Sequence, residues 1–338
     1  MSKRWLSPLP ALAACTTAAL SVAVFATTGA SAAATHYPLT ISNCGTKVTF
    51  AAAPTRAVSN DINSTEDMLA LGLQHAMVGD FGVDGDGPVG HPVPAQYLHA
   101  FHQVRDVSAH YFTLEQLIAL RPDFLFAGWN YGLQAGTRLT PAGLAQFGIK
   151  TLALSESCAH VQSGRRPLLS LVDTYKDITN LGKIFNVQAR ATKLVDTMRA
   201  EVSYVQRHVS GRRLVRVFDY DSGTAAPFSG EGLATVNAII HLAGGRNIFG
   251  RQLTSWEDVS WEQVVKAQPQ CIIINNYGTP TATQKLHFLE TNPATERLPA
   301  IKHHCVITLA YDEVTPGPRN AEAVLALAKT LHPTAFRR

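Results

Sequence analysis

From Thr55 onward the chain alternates short apolar runs with amphipathic segments, the pattern of strands that cross over through helices into a parallel sheet. Ala57-Val58-Ser59 reads as a strand, Thr65 to Leu71 as a helix stopped by Gly72, and Met77-Val78-Gly79 as the next strand. Thr113 caps a helix running through Leu120, Pro122 ends it, and Phe124 to Ala127 forms a buried strand that leads into the loop Gly128 to Gly132. A helix near Thr140 to Phe147 stops at Gly148 before a strand over Ile149 to Leu154. The second half repeats the plan. Strands fall at Leu214 to Tyr220, Cys271 to Asn275 and Cys305 to Leu309, and helices at Thr235 to Leu242, Trp261 to Ala267 and Asn320 to Leu331.

Two features divide this α/β chain. The run Thr113 to Ala127 aligns without a gap on Ser260 to Ile274, each a capped helix, a proline stop and an apolar strand, with capping boxes Thr113/Gln116 and Ser260/Gln263. Between them Ile184, Val187, Ala191, Leu194, Val195, Met198, Val202 and Val205 fall on one helical stripe. A helix over Val187 to His208 spans roughly 33 Å at 1.5 Å per residue, enough to join two lobes as a stiff spine. The expected organisation is a leader over 1–33, an N-terminal lobe over 34–183, a spanning helix over 184–209 and a C-terminal lobe over 210–338. Each lobe is expected to be Rossmann-like.

Composition sharpens the compartment. Lys3 and Arg4 precede an apolar stretch from Leu9 to Ala26 and the small residues Ala30-Ser31-Ala32, the form of a signal peptide cleaved near Ala33. The alternative, a lipid anchor at Cys15 in Leu12-Ala13-Ala14-Cys15, would leave the apolar run on the mature side and is disfavoured. The chain is thus expected to be exported, to the periplasm or the outer face of the cytoplasmic membrane. A net charge of +4 with 16% charged residues offers no basic tract for nucleic acid. In an oxidising compartment Cys44, Cys158, Cys271 and Cys305 can pair in three ways. Cys44 with Cys158 and Cys271 with Cys305 is preferred because each pair then lies within one lobe; buried free thiols are the alternative.

Chemistry-bearing motifs are absent: no Gly-x-Ser-x-Gly elbow, phosphate-binding loop, His-Glu-x-x-His or dinucleotide fingerprint occurs, so no enzyme is expected. A secreted hydrolase is the remote alternative. The 13 histidines are scattered, and adjacent His303 and His304 would face opposite sides of a strand, so no metal site is expected.

Ser64-Thr65-Glu66-Asp67-Met68-Leu69-Ala70-Leu71-Gly72 with Val78-Gly79, Leu114 to Phe126 with its Arg121-Pro122-Asp123 stop, Gly244 to Phe249, and Val259 to Val265 occur in fixed order. Together they resemble the cobalamin and ferric-siderophore class of ABC-importer binding proteins. The resemblance implies two α/β lobes joined by one rigid helix with ligand in the cleft, and no catalytic cofactor. It implies a bulky chelate as ligand, a ferric siderophore first, then a corrinoid or haem, delivered to a permease dimer by a monomeric receptor. It also implies one surface carboxylate per lobe for permease docking, here Glu66 and Glu262; both open a predicted helix, where the helix dipole alone would favour an acid. Glu115 and Glu257 do not match the docking position. A periplasmic sensor or scaffold of the same fold is the alternative function.

Ligand in open α/β sheets meets the loops after the strands. Those loops carry Asn60, Asp61 and Asn63; Asp80 and Phe81; Trp129, Asn130 and Tyr131; Tyr220 and Asp221; Trp256; Asn276 and Tyr277; and Tyr311, Asp312 and Arg319. Phe228 lies in the segment Ala225 to Gly232, which matches the family's loop into the next helix. Flat aromatics with few polar groups suit a large rigid ligand, although any one of them can equally be core or rim. Arg319 would pair with a carboxylate or phosphate of the ligand. The Gly-, Pro- and His-rich stretch Val83 to Val107 reads as a cover for the cleft or a surface loop.

Overall fold

A computed structural model describes Met1 and residues 34–83, 93–162 and 170–337. The leader, Cys15 and residues 84–92 of the Val83 to Val107 stretch lie outside the described residues.

The described chain opens with a hairpin, β1 (Leu39–Asn43) and β2 (Thr46–Phe50), paired antiparallel. Its two-residue turn puts Cys44 and Gly45 at φ 44° and 79°, the positive values that match a hairpin's twist. The first lobe follows as β3 (Ala57–Asn60), α1 (Ile62–Ala70), β4 (Met77–Phe81), α2 (Ala95–Phe101), β5 (Asp106–Ser108), α3 (Leu114–Ala119), β6 (Phe124–Trp129), β7 (Gly132–Leu133), α4 (Pro141–Ala145) and β8 (Lys150–Ala153). Its sheet runs β5-β4-β3-β6-β7, and β8 also pairs with β6. The pairings are parallel, as crossover connections require. Burial on both faces explains why β3 and β6 are buried at every position.

Helices α5 (Leu171–Ile184) and α6 (Gln188–Val209) come next. The second lobe comprises β9 (Val215–Tyr220), β10 (Phe228–Gly230), α7 (Thr235–Leu242), β11 (Gly245–Asn247), β12 (Trp256–Asp258), α8 (Trp261–Ala267), β13 (Cys271–Asn276), α9 (Ala282–Thr291), α10 (Pro299–Lys302), β14 (Val306–Ala310), α11 (Tyr311–Val314) and α12 (Asn320–Leu331). Its parallel sheet is ordered β11-β9-β13-β14, and β10 with β12 forms a small antiparallel ribbon.

The echo in the sequence has a structural counterpart. Both capping boxes form, at Thr113/Gln116 and Ser260/Gln263. Both helices end on a left-handed residue before proline, Arg121 at φ 47° and Gln268 at φ 50°. Each unit delivers an interior strand, β6 next to β3 and β13 between β9 and β14.

The long helix expected over 184–209 begins later than expected. Ile184 ends α5, Asn186 breaks the chain at φ 56°, and α6 begins at Gln188. Ala191, Val195, Met198, Val202 and Val205 form its buried face. Near one end Arg190 donates to the carbonyls of Leu71 and Gly72 in the first lobe; near the other the His208 ring stacks 5.1 Å from Phe336. Disulfides join Cys44 to Cys158 and Cys271 to Cys305, with Cα atoms 5.1 and 4.7 Å apart. No helix among the described residues is long and apolar enough to cross a membrane.

Candidate functional site

Strand ends of both lobes converge on a cavity of about 290 Å³. The first lobe supplies Tyr111, Asn130, Tyr131 and His160; the second supplies Asp221, Phe228, Trp256, Tyr277 and Tyr311. The ribbon places Phe228 and Trp256 side by side with rings stacked at 6.2 Å, and Tyr277 meets Tyr311 at 5.2 Å.

Behind this aromatic wall stand two carboxylates, one per lobe. Asp61 follows β3 and caps α1, its Oδ1 accepting the Ile62 N–H at 2.7 Å. Its Oδ2 accepts the hydroxyls of Tyr111 at 2.6 Å and Tyr311 at 2.8 Å, so a bond crosses between the lobes. The backbone at Asp61, φ 80° and ψ 151°, lies in a region populated almost only by glycine. That conformation costs on the order of 1–3 kcal/mol, a strain typical of functional positions. Asp221 follows β9 and accepts hydrogen bonds from Ser222 Oγ at 2.9 Å, Asn275 Nδ2 at 3.2 Å and the Tyr277 hydroxyl. Burial first, and then the neighbouring carboxylate, pushes the phenols of Tyr111, Tyr277 and Tyr311 upward, so all three remain donors. Burial also holds the His160 imidazole below its ordinary value; Nδ1 of that ring lies 3.2 Å from Asn130 Nδ2.

Among the described residues no lysine or arginine belongs to the cavity wall. The nearby ammonium of Lys285 is spent, donating to the Asn275 carbonyl at 2.7 Å beneath the Tyr277 ring. Among the described residues no three His, Cys, Asp or Glu side chains converge as a metal site.

The sequence profile of the periplasmic binding protein family matches residues 58–312, the span that carries both sheets and the cavity. The chain belongs to that family. Similar to this periplasmic binding protein is an uncharacterised ABC transporter substrate-binding lipoprotein, YvrC, of Bacillus subtilis, 24% identical over 306 residues, which are 89% of this chain and 88% of the relative. A vitamin B12-binding protein of Photorhabdus laumondii is 25% identical over 66% of this chain and 72% of its own. Among solved structures, a periplasmic binding protein of Veillonella parvula superposes with TM-score 0.75 at 26% identity, covering 87% of this chain and 97% of that one. A protein of an ABC-type Fe3+-hydroxamate transport system from Saccharomonospora viridis gives 0.74 at 23% identity over 88% and 100%. The family is one of solute-binding proteins that take small-molecule ligands and meet the permease of an ABC importer.

The structure distributes the expected site residues unevenly. Tyr131, Phe228, Trp256, Tyr277 and Tyr311 face the cavity, with Asp61 behind them. Asn60 is a positioning group whose Nδ2 donates to the Tyr131 carbonyl and whose Oδ1 accepts the Phe112 N–H. Phe81 and Trp129 instead pack in the first lobe's core beside Phe112 and Leu133. Tyr220 is fully buried between Phe218, Trp261 and Phe288, its hydroxyl donating to the Gly223 carbonyl. Alternation explains this: Tyr220 and Asp221 are consecutive, so when one points to the cleft the other points to the core.

Two expectations are corrected outright. Arg319 does not line the cavity: its guanidinium is turned to Asp312 at 2.5 Å, Glu313 at 2.9 Å and Glu322 at 3.7 Å. Glu66 is not a surface carboxylate: it is fully buried. The Val83 to Val107 stretch contributes α2, which packs on α1, and Asp312 and Arg319 reach Glu66 from the second lobe. Burial, and next the Asp312 carboxylate, holds the Glu66 carboxyl well above the usual range. Glu262, in the first turn of α8, is exposed. Tyr111 and His160 were not among the expected residues. His160 follows β8, so the strand-end rule carried one strand further would have reached it; Tyr111 lies in a stretch without period.

Proposed function

We propose that this periplasmic binding protein is the extracytoplasmic receptor of an ABC importer whose cleft takes a bulky, uncharged or cationic chelate that presents hydrogen-bond donors, a corrinoid ahead of a ferric siderophore or haem. One observation carries the reading. The cavity is bounded by Asp221, backed by Asp61, floored with aromatics and, among the described residues, has no lysine or arginine on its wall. Amide N–H groups on a corrin rim are complementary to carboxylates, whereas a siderophore carboxylate or haem propionate would meet like charge without an arginine to offset it. The vitamin B12-binding proteins among the relatives support the same ranking.

The lobes are fastened to each other by Asp61 to Tyr311, Asn63 Nδ2 to the Pro316 carbonyl, Glu156 to the Thr235 N–H, and Thr174 to Asn320. A cavity of about 290 Å³ is at the lower end for ligand pockets, so a corrin enters when these contacts part. Ligand amides then replace the tyrosine hydroxyls on Asp61 and Asp221. Docking falls to Glu262 on the exposed end of α8.

The test is titration of the mature protein with cyanocobalamin and with ferric citrate, read by tryptophan fluorescence, since Trp256 stands in the wall. Saturable cyanocobalamin binding that weakens at least tenfold in Asp221→Asn is expected. Tighter binding of ferric citrate, or binding of neither probe, overturns the reading.

A further inference from the structure

A second and larger concavity, about 780 Å³, shares no lining residue with the cleft. Its walls are the first turn of α5, the middle of α6, helix α7 and β11, which among the described residues is an edge strand paired with β9. Leu171, Val202 and Leu242 contribute apolar surface, joined by Val172 and Leu214, whose exposures of 63% and 48% are high for large aliphatic side chains. Concave apolar surface left open to water is the usual mark of a binding site.

The charged side chains of this wall are arginines, Arg199, Arg216, Arg246 and Arg251, joined by His241, with no aspartate or glutamate among the described lining residues. Arg216 is held in place by donating to the carbonyls of Ala267 and Gln268, which fix the guanidinium without cancelling its charge. Arg199 lies over the Tyr175 ring at 5.2 Å, and among the described residues an exposed Asp196 at 3.9 Å is its ion-pair partner. Arg246 and Arg251 are exposed and make no side-chain hydrogen bond or ion pair with any described residue. The polarity is therefore the reverse of the cleft, whose described residues include carboxylates and no lysine or arginine.

We propose that this groove binds a single-chain anionic amphiphile, a long-chain carboxylate, with its alkyl chain along Leu171, Val202, Leu214 and Leu242 and its headgroup at Arg246 and Arg251. A guanidinium offers paired N–H donors that match a carboxylate, and the volume lies within the range of pockets that enclose small molecules. The site is independent of the ligand that fills the cleft.

The experiment uses the mature protein with cis-parinarate, a fluorescent long-chain carboxylate, displaced by palmitate and by uncharged hexadecanol. Saturable binding at one site per chain is expected, with hexadecanol displacing at least tenfold less well than palmitate. In the double variant Arg246→Glu/Arg251→Glu affinity falls at least tenfold while the thermal melt is unchanged, because both side chains are exposed. Leu214→Asp tests the apolar wall by the same assay. Absence of saturable binding, equal displacement by the alcohol, or undiminished binding in the double variant overturns the proposal. So does a dimer of the unsubstituted chain that the double variant converts to monomer without any change in parinarate binding, since the groove would then be an interface between copies.

Discussion

Helices α1 and α8 each open one of the family's motifs, and each carries an acid, Glu66 or Glu262, at the position expected to face a permease. Their surroundings differ completely. From Ile62 to Leu69 every residue of α1 is buried, under α2 and against the second lobe, whereas α8 buries only Val264 fully. The same local motif thus ends as a core helix in one lobe and a surface helix in the other. What decides between them is the element that packs on top, supplied by a distant part of the chain.

The asymmetry extends to the whole molecule. Among carboxyls at most 1% exposed and shifted upward, Glu66, Asp67, Asp80, Glu156 and Asp177 precede the long helix and Asp219 follows it. Burial raises Asp80 and Asp219 to about 8 and Glu156 and Asp177 to about 7. Folded values above unfolded ones mean that the folded chain keeps protons the unfolded chain has lost. Stability is then full near pH 4 and is lost as pH rises through 7 and 8, by at most about 1.4 kcal/mol per pH unit for each group so engaged. Denaturant midpoints should fall between about pH 5 and pH 8, and Asp80→Asn should flatten the slope. Amides of β3 and β4 should lose hydrogen-exchange protection before those of β9 and β13. A midpoint that is flat or rises over that interval contradicts this account.

Legibility in the sequence followed the range of the interactions. The capping boxes, proline stops and apolar strands at Thr113 to Ala127 and Ser260 to Ile274 are local, and the class and the two-lobed plan could be read from them. Helix α2 escaped because its sequence, Ala95-Gln-Tyr-Leu-His-Ala-Phe101, lacks both a capping residue and a clean apolar period. The cleft was half legible: the strand-end rule reached Tyr131, Phe228, Trp256, Tyr277 and Tyr311, but it cannot say which of two consecutive residues turns inward, as Tyr220 and Asp221 demonstrate. The ion pairs of Arg319 are local, since Asp312, Glu313 and Glu322 all lie within seven residues of it, yet sequence spacing alone does not choose between them and a ligand anion.

Glu66→Ala removes a buried side chain and leaves Asp312 without the carboxyl beside it, an expected loss of about 2–4 kcal/mol in denaturant unfolding. Glu66→Gln, which keeps the shape, should recover most of it. Glu262→Ala forfeits only an exposed acid at a helix start, about 0.5 kcal/mol, and should act on permease binding instead. Equal losses in the two alanine variants would mean that the helices are equally covered.

The smallest expected difference lies between the two disulfides, whose loops have very different lengths. Cys44–Cys158 closes a sequence separation of 114 residues in the first lobe, Cys271–Cys305 one of 34 in the second. In the chain-entropy account the stabilisation grows with the logarithm of loop length, so the longer loop is favoured by about 1 kcal/mol, on top of a shared contribution of roughly 2–5 kcal/mol. Cys44→Ala/Cys158→Ala should therefore unfold at lower denaturant than Cys271→Ala/Cys305→Ala by that margin. The reverse order would place the stabilising effect in the packing of the folded second lobe, where Cys271 pairs with β9 at the start of the interior strand β13, rather than in the freedom of the unfolded chain.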